Sequence, residues 1–321
     1  SKKHTSKKHT RKKNDISDKK KKKKFIVGIV SVPLTPEKKY FKVCGDSYIA
    51  SSHLKWLKSQ DVETLIIPYN TKDIKYYFSK VQGLYLPSGG AFASNQTEYY
   101  KCCKKLIQMA MKENDKGNYF PIWGCCMGFQ QMLIIADGND DLDNLLTKFD
   151  SFNNLLCNID LTEDGKNSTI MNGLDKHTRE RIVKKKCTLN NHMLGISPRK
   201  MKANKLMHSF YKIVGTSRDR KNREFVSIIE ARQWHPERNE EMNAFVKFFA
   251  KELRKSKRPM QTQKHYRKYK NMHTKKIDCM NYSHGLYKKC NFYWHQRTSA
   301  HNKKLCSSAQ LRDKDPGIGG V

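Results

Sequence analysis

Apolar positions along the chain fall into short continuous runs, separated by stretches in which they recur every three or four residues. Phe25-Ile-Val-Gly-Ile-Val-Ser-Val32 is nearly all apolar and rich in β-branched residues, the pattern of a strand covered on both faces. Val62-Glu-Thr-Leu-Ile-Ile-Pro68 predicts a second strand stopped by its proline, and Gly83-Leu-Tyr-Leu86 a third that runs into Pro87-Ser-Gly-Gly90. Tyr119-Phe-Pro-Ile-Trp123 predicts a fourth. Between them, Tyr48 to Leu57 sets Ile49, His53, Leu54, Trp56 and Leu57 at helical spacing, and residues 73–80 look helical. Thr97 to Lys112 reads as a long amphipathic helix, and Met127 to Ala136 as a helix that follows the fourth strand with hardly a linker. Strand and helix alternate four times, which predicts an α/β domain with a mostly parallel sheet between helices. Residues 150–230 are less regular, with strands expected near 152–160, 185–190, 208–215 and 225–230. Asn243 to Leu253 closes the domain as an amphipathic helix with Phe245, Phe248 and Phe249 on its buried side.

Charge divides the chain of 321 residues into three parts. It carries 64 Lys and Arg against 30 Asp and Glu, a formal net charge of +34. Residues 1–24 hold +11 of this and residues 254–321 hold +14, leaving +9 for residues 25–253. The middle part is long enough for one sizeable core. Residues 1–24 repeat Ser-Lys-Lys-His-Thr, end in an unbroken lysine run and have almost nothing to bury, so a disordered basic tail is expected. Residues 254–321 read as an irregular basic tail. Cys279, Cys290 and Cys306 there fit no regular zinc spacing, so no metal site is expected. Such tails can bind nucleic acid or an acidic surface, with Lys264-His-Tyr-Arg-Lys-Tyr-Lys270 able to stack on single-stranded bases. A solvated, self-repelling tail is the plainer alternative. No run of about 20 apolar residues exists to span a membrane, and no secretory leader is visible.

Chemistry concentrates where a parallel sheet gathers ligands, at the carboxyl ends of its strands. Gly124-Cys-Cys-Met-Gly128 fits the pattern Gly-x-nucleophile-x-Gly between a strand and a helix. That turn needs small neighbours because its central residue is strained. The frame selects Cys126 as nucleophile and turns Cys125 toward the core. A thiol at a helix N-terminus also sits at the positive end of the helix dipole, which favours thiolate chemistry. A pair of buried structural cysteines is the competing reading. A cysteine nucleophile needs a base and the base an orienting group. Gln233-Trp-His-Pro-Glu237 offers both, because His235 and Glu237 leave the same face of an extended segment.

Trp123-Gly-Cys-Cys-Met-Gly-Phe129 together with Gln233-Trp-His-Pro-Glu-Arg238 resembles the signature pair of the gamma-glutamyl hydrolases. Tyr48-Ile-Ala-Ser-Ser-His-Leu-Lys-Trp-Leu57 is similar to that family's first helix, and Gly83 to Gly90 to its glycine loop. Asn191-His-Met-Leu-Gly-Ile-Ser197 is similar to its substrate-side histidine segment. The resemblance covers residues 25–253 and neither tail. It implies a three-layer αβα sandwich of the class I glutamine amidotransferase-like, flavodoxin-like kind, and cleavage of poly-γ-glutamate chains from folates. Carried over, it makes Cys126 the nucleophile, His235 the general base and later acid, and Glu237 its orienter. It puts His192 near the substrate, where a surface-loop histidine is the alternative. It takes the oxyanion donors from the backbone N–H groups of Met127 and Gly90. No metal or organic cofactor is implied. The partner is folylpoly-γ-glutamate, with a homodimer and a lysosomal, vacuolar or extracellular location also implied.

One departure stands out. In the family a further short strand separates the segment like Phe225-Val-Ser-Ile-Ile-Glu230 from the histidine motif, whereas here Ala231 and Arg232 alone intervene. Such a loss bears on the placement of His235, since catalysis tolerates displacements of only about 1 Å. Two other functions compete: a glutaminase that supplies ammonia to a separate synthase, and an inactive amidotransferase-like scaffold whose basic tails bind nucleic acid.

Overall fold

The first apolar run forms β1 (Ile26–Val30), and all five of its residues are buried. In the computed structural model, which describes residues 25–34, 47–90, 97–138, 145–229, 242–259, 274–278 and 289–293, β2 (Val32–Pro33) and β3 (Ser47–Ala50) come next. There follow α1 (Ser51–Lys58), β4 (Glu63–Ile67), α2 (Ile74–Ser79), β5 (Gly83–Leu86), α3 (Glu98–Asp115), β6 (Ile122–Gly124) and α4 (Met127–Asp137). The second half begins with β7 (Thr147–Cys157), β8 (Asp160–Leu161), α5 (Glu163–Lys166), α6 (Thr169–Gly173) and α7 (Lys176–Lys184). It continues through β9 (Thr188–Gly195), α8 (Pro198–Ala203), α9 (Lys205–Phe210), β10 (Ile213–Arg218), β11 (Glu224–Ile229) and α10 (Asn243–Arg254). β12 (Thr274–Asp278) and β13 (Lys289–Tyr293) lie beyond it.

Four strands make the central sheet in the order β4-β1-β5-β6, every pair parallel. Successive side chains of a strand leave opposite faces, and the two faces here feed two separate cores. Ile26, Val30, Leu84 and Leu86 join one, together with apolar residues of α2, α3 and α4. Val27, Ile29 and Tyr85 join the other, with Trp56 of α1 and Phe245 and Phe249 of α10. Helices therefore cover both faces, which is why β1 reads as a continuous apolar run, and the expected α/β sandwich is the fold observed.

Several boundaries differ from those the sequence suggests. Tyr48 to Ala50 is strand rather than the start of a helix, because β3 pairs antiparallel with β2, Tyr48 lying opposite Val32. The fourth strand starts at Ile122, since the Phe120 backbone is taken up by the Asn114 side chain at 2.9 and 3.0 Å instead of by a neighbouring strand. Strand was expected over 208–215, yet Asn204 caps α9 by accepting from the Met207 N–H at 3.0 Å, and β10 starts only at Ile213. The strand near 152–160 is the longer β7, paired antiparallel with β9. Part of the expected irregular tail is also regular. β12 and β13 pair antiparallel, and β13 then joins the open edge of β3, with Phe292 opposite Tyr48 in register. An edge strand offers a row of unpaired backbone groups, and β13 takes them up.

Candidate active site

β6 and α4 are separated by two residues, and the turn between them has no slack. Cys126 takes φ 49° and ψ −107° as the residue capping α4. That left-handed backbone is strained for a side-chain-bearing residue, at a cost on the order of 1–3 kcal/mol. Both flanking glycines are required by space. A Cβ on Gly128 would lie 2.1 Å from the Leu86 carbonyl oxygen of β5. One on Gly124 would lie 2.9 Å from the Gly128 oxygen and 2.6 Å from Met132 Sδ. Backbone bonds fasten the turn to the sheet: Cys125 N–H donates to Leu86 O at 3.0 Å, and Gly128 N–H to Cys125 O at 2.9 Å. Cys125 belongs to the core that holds Trp123 and Phe249. Cys126 is 6% exposed and belongs to none of the hydrophobic clusters. Met127 opens α4, where first-turn N–H groups have no acceptor within the helix.

The glycine loop follows β5 beside this turn. Among the described residues, a Cβ on Gly90 would meet nothing within 4 Å. Its N–H, the expected second oxyanion donor, donates to the Tyr48 hydroxyl at 3.2 Å. Burial pushes the Tyr48 pKa up; the Gly90 N–H works against that rise and the Cys126 thiol, when charged, adds to it. Tyr48 is therefore part of the Cys126 neighbourhood. Gly89 is wedged, since a Cβ there would lie 2.8 Å from Val32 Cγ1 and 3.1 Å from Met127 Cε. Ser88 Oγ lies 2.6 Å from His53 Nε2, and His53 Nδ1 lies 2.8 Å from the Tyr85 hydroxyl. Helical spacing marks His53 as one more residue on a buried helical face and singles out neither Tyr48 nor Ser88. A signal existed: an imidazole among apolar neighbours needs hydrogen-bond partners.

His192 lies inside β9 rather than on a surface loop, and it is 4% exposed. Its Nδ1 is 3.1 Å from both Ser151 Oγ and Leu194 O, and its Nε2 is 3.3 Å from Asn190 Oδ1. Its ring meets Phe225 edge-on at 5.1 Å. α4, which follows the Cys126 turn (the elbow), reaches the same strand, where Gln130 Nε2 donates to Leu194 O at 2.8 Å. Ser151 of β7 lies opposite His192, and between that pair and Leu155–Asn190 β7 bulges through Asn153 and Asn154, each at φ 57°, with Arg220 donating to the Phe152 and Asn153 carbonyls at 2.7 and 3.1 Å. His235 and Glu237 lie outside the described residues. Among the described residues no group of three His, Cys, Asp or Glu is arranged to hold a metal ion, and no helix is long and apolar enough to cross a membrane.

Known proteins match much of the chain. It is 27% identical over 223 residues to gamma-glutamyl hydrolase B of Dictyostelium discoideum, covering 67% of this chain and 62% of that protein. It is 29% identical over 203 residues to the mouse (Mus musculus) gamma-glutamyl hydrolase, covering 60% and 62%. The chain thus spans less than two thirds of the length of these relatives. A solved glutamine amidotransferase from Thermotoga maritima overlaps with a TM-score of 0.32 at 13% identity, over 71% of this chain and 84% of that one. The peptidase C26 family pattern matches residues 25–237, from the first strand to the glutamate of the histidine motif. The chain belongs to the peptidase C26 family.

Proposed function

We propose that this protein hydrolyses the γ-glutamyl bonds of folylpoly-γ-glutamates through a thioester on Cys126. The observation that carries the reading is the turn at Cys126: a cysteine held at φ 49° on a strand-to-helix junction whose two glycines admit no side chain. Strain of this kind persists where the surrounding structure enforces it, and it clusters at reactive sites. The names of the matched relatives support the bond that is cleaved.

In this reading His235 takes the Cys126 proton as the sulfur attacks the γ-amide carbonyl carbon, and the Met127 and Gly90 N–H groups receive the developing oxyanion. For Gly90 this means exchanging the Tyr48 hydroxyl for the substrate oxygen. His235, oriented by Glu237, protonates the departing amine as the C–N bond breaks. The same imidazole then takes a proton from water, whose oxygen attacks the thioester, and the acid leaves with Cys126 free again. No cofactor enters these steps. His192, with both ring nitrogens near hydrogen-bonding atoms, acts by shaping the substrate side of the site. The free α-carboxylates of the glutamate chain suit the positive charge of residues 25–253. Lysosomal, vacuolar or extracellular residence belongs to the same proposal.

The test is to incubate the protein with pteroyl-polyglutamate and, separately, with free glutamine, with and without Cys126→Ala. Chain shortening that vanishes in Cys126→Ala is the expected result. Ammonia release from glutamine in its place would move the assignment to a glutaminase, and silence on both substrates would remove the enzyme.

A further inference from the structure

A histidine with 0% exposure has to satisfy its ring nitrogens inside the protein. His53 does so between two hydroxyls, with Tyr85 at 2.8 Å and Ser88 at 2.6 Å. In either neutral tautomer one ring nitrogen donates and the other accepts. The identity of the partners separates this residue from an ordinary core histidine. Tyr85 is in β5 of the central sheet, and Ser88 stands two residues past its end, directly before Gly89 and Gly90. Ser88 is itself buried, so its hydroxyl is anchored against the sheet through the imidazole. Gly89, the next residue, packs on Met127, which carries the other proposed oxyanion donor. A Cβ on Gly90, the residue after Gly89, would touch none of the described residues. The loop therefore has a fixed end at Ser88 and a working end at Gly90.

We infer that His53 is a positioning residue for the reaction: by holding Ser88 to the sheet, it sets the direction of the Gly90 amide relative to Met127 and Cys126. The inference rests on the hydrolase reading above. Two amides serve one oxyanion only when both lie about 2.7–3.1 Å from it. Releasing Ser88 lets Gly90 shift while Met127 stays fixed at the head of α4, and a displacement of about 1 Å at a reacting centre costs about 100-fold in rate. The loss falls on the transition state, so kcat drops while KM stays nearly constant.

The experiment uses the full chain and three variants. His53→Phe keeps a ring and removes both contacts, Ser88→Ala removes the other side of one contact, and His53→Gln retains an amide within reach of Ser88. Expected are falls in kcat of about 10- to 100-fold for His53→Phe and for Ser88→Ala with little change in KM. Partial recovery is expected in His53→Gln, and a double variant no worse than the weaker single one. Hydrogen–deuterium exchange of the peptide covering Leu86 to Gly90 should rise in both single variants while the peptide over α4 stays protected. Unchanged exchange in that loop, or losses that multiply in the double variant, would overturn the inference. Should His53→Phe fail to fold, Ser88→Ala carries both readouts, since it deletes a single hydroxyl. Should the unaltered protein shorten no γ-glutamyl chain, the hydrolase reading falls, and the exchange measurement still decides whether His53 holds the loop.

Discussion

The chain contains two pairs of adjacent cysteines, and they live in opposite surroundings. Cys102 and Cys103 sit in the second turn of α3 with their neighbours Tyr99 and Leu106 in a hydrophobic core. Burial pushes the Cys102 thiol up to about 12, with the Glu98 carboxylate adding to it and Lys105 opposing. Burial also drives Cys103 well above its usual value, and Cys102 adds to that. Cys125 and Cys126 instead straddle a turn: one is in the core behind the sheet, the other heads α4 on a left-handed backbone. Residue type and burial are shared by the two pairs, while backbone conformation is not. A regular helix gives a thiol no reason to face anything but the core. A forced turn takes Cys126 out of both cores and sets it beside a helix start and a glycine loop. The chain path, more than the residue type, separates the two pairs.

The largest effect should come from exchanging the two thiols one at a time. Cys126→Ala should lower kcat on a γ-glutamyl substrate by about 10⁴-fold or more, while Cys103→Ala should stay within about twofold, because it touches no reacting group. Comparable losses in steady-state assays of both variants would erase the distinction.

Next in size is the space around the turn. Gly128→Ala forces a Cβ to within 2.1 Å of the Leu86 oxygen, and overpacking of this sort costs about 1–3 kcal/mol or more. Thermal unfolding should show that loss together with loss of activity, and an active Gly128→Ala protein of unchanged stability would contradict the steric account of the elbow.

Chemical labelling should separate the pairs without any substrate. Iodoacetamide should modify Cys126 well before Cys102, whose thiolate at a pKa of about 12 is scarce near neutral pH. Labelling of Cys102 should climb about tenfold per pH unit up to that value. Mass spectrometry that found both sites labelled at one rate would go against this.

Smaller still is the cap on the helix that carries Cys102 and Cys103. The Thr97 side chain accepts from the Tyr100 N–H at 3.2 Å at the start of α3. Thr97→Ala should therefore cost about 1 kcal/mol of stability and leave kcat unchanged.

An acid titration of Asp219, in the turn between β10 and β11, should give the smallest change. Burial works against its charge, but N–H donors from Asp150 and Arg223 and the Arg223 guanidinium prevail, and its carboxyl is held below the usual range. A carboxyl lowered in the folded state stabilises above its unfolded pKa of about 3.9, and that contribution fades as pH falls through the lower folded value. The gap in urea stability between the natural chain and Asp219→Asn should accordingly be present at neutral pH and close as acid takes the carboxyl through its lowered folded-state value. A gap that widened with acid would reverse the sign.

How much of this was readable beforehand follows from how local each constraint is. The elbow was legible because its requirement is contained in five consecutive residues: two glycines that cannot carry a Cβ and a thiol between them. The central sheet was legible because strands buried on both faces leave continuous apolar runs. Tyr48 was misread as helical because its strand is defined by partners, Val32 and a segment more than 200 residues away, that no local pattern reveals. His53 was absorbed into an apolar stripe because helical spacing reports which face is buried and says nothing of what lies across it. The surface-loop alternative for His192 fails because β9 pairs with β7, a long-range pairing that no local pattern reveals.

The decisive measurement is a quenched single turnover of pteroyl-polyglutamate, followed by mass spectrometry of the peptide that contains Cys126. Thioester chemistry at the elbow requires a transient adduct on Cys126 whose mass equals the substrate less the released glutamyl amine, appearing before hydrolysed product. Product formation with that peptide unmodified, together with full turnover by Cys126→Ala, would show that the bond is cut without the cysteine at the turn.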